Sequence, residues 1–320
     1  MNTEVDNGEG GRTLLVLAAG LGKRFGGLKQ IAGVGPSGEA IMEYSLYDAR
    51  RVGFGRVVFV IRPEMEADFR KVILSRVRAV MGTAVVLQRI EDVPVRGGVG
   101  GEREKPWGTG HAVWAARKAV RGPFGVINAD DFYGPRSFDV LADLLTATHA
   151  GRRAYGMVCF RLGQTLSEWG PVARGICRTT AEGHLVAIRE YTAIRREGGK
   201  IVGRNPSGAV EILEPDLPVS MNMWAFEPRI FLQLGGLFRE FLQRGPGPED
   251  EFFLSESLNR LVGEGRAWVQ VRESPERWCG ITHPGDVEHA RTCIVRLVER
   301  GTYPDSLYRP KGAPLRSSPD

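Results

Sequence analysis

Apolar residues in the amino-terminal half fall into short, nearly continuous runs, separated by segments in which they recur at helical spacing. The run Leu14–Leu17 predicts a strand, and Glu39–Val52, with Ile41, Met42, Leu46 and Ala49 on one side, predicts a helix. Arg56–Ile61 reads as a buried strand, Glu64–Val80 as a helix, Thr83–Gln88 as a third strand and His111–Arg121 as a further helix. The segment "FGVINADD" is a strand that ends in acid. Strands alternating with helices predict an α/β fold, a Rossmann-like, mostly parallel sheet with helices on both faces. In such sheets ligands bind beyond the carboxyl ends of the strands, where both Asp130 and the glycine-rich loop after Leu17 fall.

The second half is less regular. "RAYGMVCFRL", "HLVAIREY" and "VSMNMWAF" predict strands, so residues 151–275 read as a strand-rich insertion on the core of residues 12–150. Residues 276–300 form a closing segment, and together the three make one domain over residues 12–300. Residues 1–11 and 304–320, the latter rich in proline and serine, read as frayed ends. "EDVPVRGGVGGEREK" (residues 91–105) is too polar and glycine-rich for a core element and reads as a loop over the site. There is no internal repeat, and no hexapeptide run that would add a β-helix after the core.

Composition changes this picture little. At 42% apolar and 25% charged, the 320 residues sit in the ordinary globular range. No apolar run approaches the ~20 residues of a membrane span, and "MNTEVDNGEGG" is not a secretory signal, so no membrane partner and a cytoplasmic location are expected. Lysine stands at positions 23, 29, 71, 105, 118, 200 and 311, which leaves 36 of the 43 basic residues as arginine. The arginines are scattered among acids and form no stripe, so the net charge of +5 does not point to nucleic acid. Cys159, Cys177, Cys279 and Cys293 lie far apart without metal-type spacing and read as reduced thiols.

The chemistry concentrates in "LAAGLGKRFGGLK", from Leu17 to Lys29. Glycines let an anion approach the main chain closely, and Lys23, Arg24 and Lys29 supply charge. Two familiar phosphate loops fail here: a P-loop would need lysine at Leu28, and a dinucleotide fingerprint would need glycine at Phe25. The segment resembles instead the signature of the nucleotidyltransferases that make nucleotide sugars: an apolar strand, L-A-A-G-x-G-x-R, and a lysine a few residues on. Further segments agree in order. "WGTGHA" (Trp107–Ala112) resembles that family's second nucleotide-contacting segment, and "VINADDFYG" the strand whose terminal aspartate binds metal. "SEWGPVARG", "LVAIREY" and "SMNMWAF" resemble parts of the sugar site.

The resemblance implies the GT-A-like nucleotidyltransferase fold and the reaction of an NTP with a sugar 1-phosphate to give an NDP-sugar and pyrophosphate. The nucleophile is then the substrate's own phosphate oxygen. It assigns Leu17, Ala18, Ala19, Gly20, Gly22 and Gly26, with Gly108, Thr109 and Gly110, to the nucleotide, and Arg24 and Lys29 to catalysis. Arg24 would clamp the β,γ-phosphates and Lys29 the α-phosphate; Asp130 would hold Mg²⁺, and Gly170, Glu190 and Asn222 would meet the sugar. The expected partners are an NTP and a small phosphorylated acceptor, with a second copy of the chain left open.

Three departures bear on that assignment. "RWCGITHPGD" has Gly280 where many members of that family carry a second metal-binding aspartate, so either Asp131 or Asp286 substitutes or the second metal contact is absent. Pro106 stands where a base-reading glutamine is common, which turns attention to Gln88. Glu190-Tyr191-Thr192 replaces Glu-Lys-Pro in the sugar site. Two alternatives therefore stay open. One is a nucleotide-sugar-binding regulatory subunit without turnover. The other is a cytidylyltransferase acting on a non-sugar phosphate such as phosphocholine, whose ammonium Trp107, Trp169, Trp224 and Glu190 would cage.

Overall fold

A computed structural model describes residues 11–20, 33–95, 103–150, 154–281, 283 and 285–308. Four parallel strands form the amino-terminal core: β1 (Arg12–Leu17), β2 (Phe54–Ile61), β3 (Gly82–Leu87) and β4 (Phe124–Asn128), in the order β3-β2-β1-β4. Their apolar runs are continuous because both faces are covered. Leu14 and Val16, with Val57, Phe59 and Ile61, enter one core cluster; Leu15 and Leu17, with Val58 and Val60, enter the other. Helices α1 (Ile41–Arg51) and α5 (Pro135–Ala150) cover the first face. Helices α4 (Thr109–Ala115), α6 (Arg229–Gln243) and α7 (Leu254–Gly263) cover the second. Between β2 and β3 the expected helix forms as a continuous run of α2 (Glu66–Phe69), a π turn over Arg70–Leu74 and α3 (Ser75–Val77).

The strands of the second half continue the same sheet in antiparallel fashion rather than forming a separate layer. These are β6 (Ala154–Arg161), β7 (Val172–Thr179), β8 (Leu185–Glu197), β9 (Lys200–Arg204), β10 (Val210–Leu213), β11 (Pro218–Phe226) and β12 (Trp268–Glu273). Strand β11 is the junction. Trp224–Phe226 pairs with β4, while Val219 and Ser220 pair with β7, so the sheet forks where β4 ends. Two short strands, β5 (Asp131–Phe132) and β13 (Cys279–Gly280), pair antiparallel and bring the closing segment to that fork, ahead of helix α8 (Asp286–Glu299).

Residues 304–308, expected to belong to a frayed tail, dock instead on the turn that leads into α1: Leu307 N–H donates to Glu39 at 3.2 Å, and Ser37 Oγ donates to the Asp305 carbonyl at 3.0 Å. Beside them the Tyr303 hydroxyl donates to Asp48 at 2.6 Å. Burial lifts the Asp48 carboxyl to about 7, against the Tyr303 bond and Arg51, with Glu276 and Asp139 adding to the rise. Between the unfolded value near 3.8 and about 7 the folded chain therefore holds a proton that the unfolded chain has released, so this group's contribution to stability falls as pH rises through that window. The shift corresponds to at most about 4–5 kcal/mol at ~1.4 kcal/mol per pK unit. Buried His111, pulled down to about 4 mainly by desolvation, acts oppositely and weakens the fold as pH falls below its unfolded value of 6.5. Urea unfolding of wild type and Asp48→Asn from pH 4 to 8 separates the two. The wild-type advantage is expected to shrink as pH rises, and parallel profiles would show that Asp48 titrates as an ordinary carboxylate.

Candidate active site

The ladder of the core strands runs one residue past their ends. Ala18 N–H donates to the Val60 carbonyl at 2.8 Å, and Ala129 N–H to the Leu17 carbonyl at 3.0 Å. This places Ala18, Ala19 and Gly20, where the glycine loop leaves β1, beside the acidic end of β4. Ala18 and Ala19 are buried and Gly20 is exposed. Gly22, Arg24, Gly26 and Lys29 lie outside the described residues.

The acidic end is built around a tyrosine that sequence reasoning missed. At the fork the β4–β11 ladder opens, and a wholly buried Tyr133 hydroxyl fills the gap. It accepts from the Asn128 backbone N–H at 3.0 Å and lies 2.8 Å from the Met221 carbonyl, to which it donates. The same oxygen is 3.3 Å from Asp131 Oδ2, and the Asn128 side chain donates to that carboxylate oxygen at 2.9 Å. Asp131 Oδ1 faces Gly280, 2.7 Å from where a Cβ on that glycine would lie. Asp130, half-buried, accepts the Ile281 N–H on its backbone carbonyl at 3.0 Å. Asp286 is differently placed: its carboxylate accepts from His283 N–H at 2.6 Å and Ser167 Oγ at 2.7 Å at the start of α8.

On the other side of the fork stands the buried arginine Arg174, also unanticipated. Its guanidinium bonds to the carbonyls of Thr165 and Ala173 and lies over the Trp278 ring, 4.7 Å from the centroid. Burial disfavours its charge, and Asp131, Glu190, Asp286 and Asp130 all act to restore it, so the metal-type acids and the expected sugar-site glutamate share one cation. Glu190, on β8, pairs with Gly175 across from Ser220. Its carboxyl is raised by desolvation, lowered by Arg174 and raised again by Glu256. Asn222 sits at the bulge in β11 with φ of +55°, a left-handed conformation that asparagine tolerates better than most residues. Gly170 is packed under the His283 ring, which a Cβ would meet at 2.9 Å.

The segment Gly108–Gly110 is stitched to the start of α7. Gly110 N–H donates to the Phe252 carbonyl at 2.9 Å, and Thr109 Oγ1 accepts from Leu254 N–H at 3.0 Å. Gly108 has φ of +97°, and a Cβ on Gly110 would meet the Phe252 ring at 2.8 Å, so both glycines have a packing reason. Gln88, at the end of β3, is buried; its amide donates to the Gly108 carbonyl at 3.0 Å and lies 3.2 Å from His111 Nδ1. The tryptophan cage is not assembled. Trp107 and Trp224 are buried in the core beneath α6, Trp107 beside Phe238 and Phe241, while Trp169 is exposed and lies against Gly285.

Comparison with known proteins supports the fold. The sequence matches no family model and no curated protein. Among solved structures, the chain is similar to the inositol-1-phosphate CTP transferase from T. maritima (TM-score 0.57, 15% identity, covering 88% of this chain and 96% of that one). It is also similar to a UDP-glucose pyrophosphorylase complexed with UDP-glucose (TM-score 0.55, 15% identity, 89% and 98%). A Bacillus anthracis protein, provisionally described as a glucose-1-phosphate thymidylyltransferase and solved with sucrose, is similar at TM-score 0.59 and 12% identity, covering 88% and 94%. At these identities the likeness is one of fold: the chain has the fold of the sugar-phosphate nucleotidyltransferases. Among the described residues, no helix is long and apolar enough to cross a membrane.

Proposed function

We propose that the chain is a Mg²⁺-dependent nucleotidyltransferase that converts an NTP and a sugar 1-phosphate into an NDP-sugar and pyrophosphate. The observation that carries this reading is that Ala18, Ala19 and Gly20, the first residues beyond β1, lie beside the end of β4 that leads into Asp130 and Asp131, in a chain with the nucleotidyltransferase fold. The acceptor's phosphate oxygen attacks the α-phosphorus, a P–O bond forms there, and the bond to the departing pyrophosphate breaks.

Each part of the site has a task in that step. The main chain of Ala19, Gly20, Gly22 and Gly26 cradles the triphosphate, with Arg24 on the departing phosphates and Lys29 at the α-phosphate. Gly108, Thr109 and Gly110 edge the nucleotide pocket, and Gln88 braces that edge from beneath through the Gly108 carbonyl. Asp130 and Asp131 form a hard oxygen donor set that suits Mg²⁺. When bound there, the metal neutralises charge on phosphate oxygens. Asp131 takes the part of the second carboxylate, because its Oδ1 faces the position that Gly280 leaves bare, whereas both oxygens of Asp286 are engaged in tying α8 to Ser167 and His283. Glu190 and Asn222 meet the acceptor's hydroxyls, with Gly170 at the rim and Arg174 supplying positive potential behind them. Catalysis of this kind is alignment and charge stabilisation and requires no nucleophilic side chain.

The test is pyrophosphate release with Mg²⁺, crossing ATP, CTP, GTP, UTP and dTTP with sugar 1-phosphates, inositol 1-phosphate and phosphocholine. Release that requires one NTP and one phosphorylated sugar or cyclitol is the expected result. Silence across the panel from folded protein that still binds an NDP-sugar would replace this reading with that of a regulatory subunit. Turnover with phosphocholine alone would replace it with the non-sugar reaction, for which the buried Trp107 and Trp224 provide no cage.

A further inference from the structure

The closing segment brings together three donors that the sequence keeps apart. Cys279 lies on β13; His289 and Cys293 lie one helical turn apart on α8. One donor atom from each, two thiols and an imidazole nitrogen, lies within 4.8 Å of the others, and Cys293 Sγ is 3.5 Å from His289 Nε2. Tetrahedral zinc, with Zn–S of about 2.3 Å and Zn–N of about 2.0 Å, sets an S···N edge of about 3.5 Å. The donors are graded in exposure: Cys279 is buried, Cys293 half-buried and His289 exposed, so the cluster is closed beneath and open toward solvent. The face of α8 next to it, Ala290 and Ile294, is packed into the core and fixes the helix independently.

We propose that Cys279, His289 and Cys293 form a zinc-class metal site, with a fourth position open to water, that pins β13 to α8. Two thiolates and a neutral imidazole are soft and borderline donors, which separates this site chemically from the carboxylates of Asp130 and Asp131. Cys279 precedes Gly280, whose backbone pairs with Asp131, so a metal held here would steady the strand that backs the acidic end of the active site. The inference stands apart from the proposed reaction, since it rests on the donor geometry alone.

The full chain, purified under reductant and chelator and then exchanged into excess Mg²⁺, is titrated with Co²⁺ and with Zn²⁺ against a chromophoric chelator. One equivalent per chain, a thiolate-to-cobalt charge-transfer band and a zinc-dependent rise in unfolding temperature are expected. His289→Ala and Cys293→Ala should each weaken zinc binding at least tenfold and abolish the rise, while Cys159→Ser with Cys177→Ser should leave both unchanged. His289 is exposed, so its replacement leaves the packed face of α8 intact and keeps the test readable. Absence of the charge-transfer band, unchanged affinity in His289→Ala, or a Cys279–Cys293 disulfide that forms and persists in the presence of zinc would overturn the proposal.

Discussion

Replacing Asp130 by asparagine is expected to lower pyrophosphate release on the order of 10²- to 10³-fold in kcat, and Lys29→Ala is expected to cost at least as much. The two residues are the opposite electrostatic poles of the proposed reaction. Asp130 stands at the end of β4, beside the point where the glycine loop leaves β1, and asparagine nearly preserves its shape while removing the charge. The loss should therefore appear as a weaker dependence on Mg²⁺ and a lower kcat, with little change in the unfolding midpoint. Lys29 should lose turnover without any change in Mg²⁺ dependence, because its charge acts on the phosphate directly. Asp131→Asn is expected to affect both stability and turnover, since that carboxylate also accepts from the Asn128 side chain and lies 3.3 Å from the Tyr133 hydroxyl. Near-normal turnover in either Asp130→Asn or Lys29→Ala would remove the residue from the mechanism.

The parallel core was legible in the sequence because strands buried on both faces must be apolar at every position, so β1, β2 and β4 stand out as runs. The loop chemistry was legible because glycines and cations beside a strand end have few other uses. The π turn inside the helix between β2 and β3 was not, since it shifts hydrogen bonding without disturbing apolar spacing enough to show. Strands β5 and β13 have two residues each and carry no period at all, yet their pairing sets Gly280 against Asp131. Arg174 did leave a trace. In "VARG", Val172 and Arg174 share one face of β7 and Ala173 the other, and both Val172 and Arg174 are buried, so a charge at an apolar parity position was the signal to follow. Tyr133 left none, because the hydroxyl's task depends on a fork created by β11, nearly ninety residues later. Likewise, separation along the chain concealed the Cys279, His289 and Cys293 cluster, which only the turn from β13 into α8 closes.

Placing an aspartate at position 280, Gly280→Asp, is expected to damage the protein rather than to improve it. A Cβ at Gly280 would lie 2.1 Å from Cζ2 of Trp278 and 2.7 Å from Asp131 Oδ1, both closer than real contacts allow. Trp278 is nearly buried, and it lies under the Arg174 guanidinium. Displacing its ring would uncover a cation whose neighbours are Asp131, Glu190, Asp286 and Asp130. Gly280→Ala isolates the steric part, and overpacking of this kind costs about 1–3 kcal/mol. Gly280→Asp adds a second carboxylate against Asp131, which raises the cost through like-charge repulsion. Both variants should therefore unfold at lower temperature and turn over more slowly, the aspartate variant more than the alanine one. A Gly280→Asp protein of normal stability with faster turnover would show that the site lacks a carboxylate it can still accept. The present geometry argues the reverse: glycine is needed at 280 because Asp131 and Trp278 already fill the space in front of it, so the bare position and the placement of Asp131 are a single structural fact.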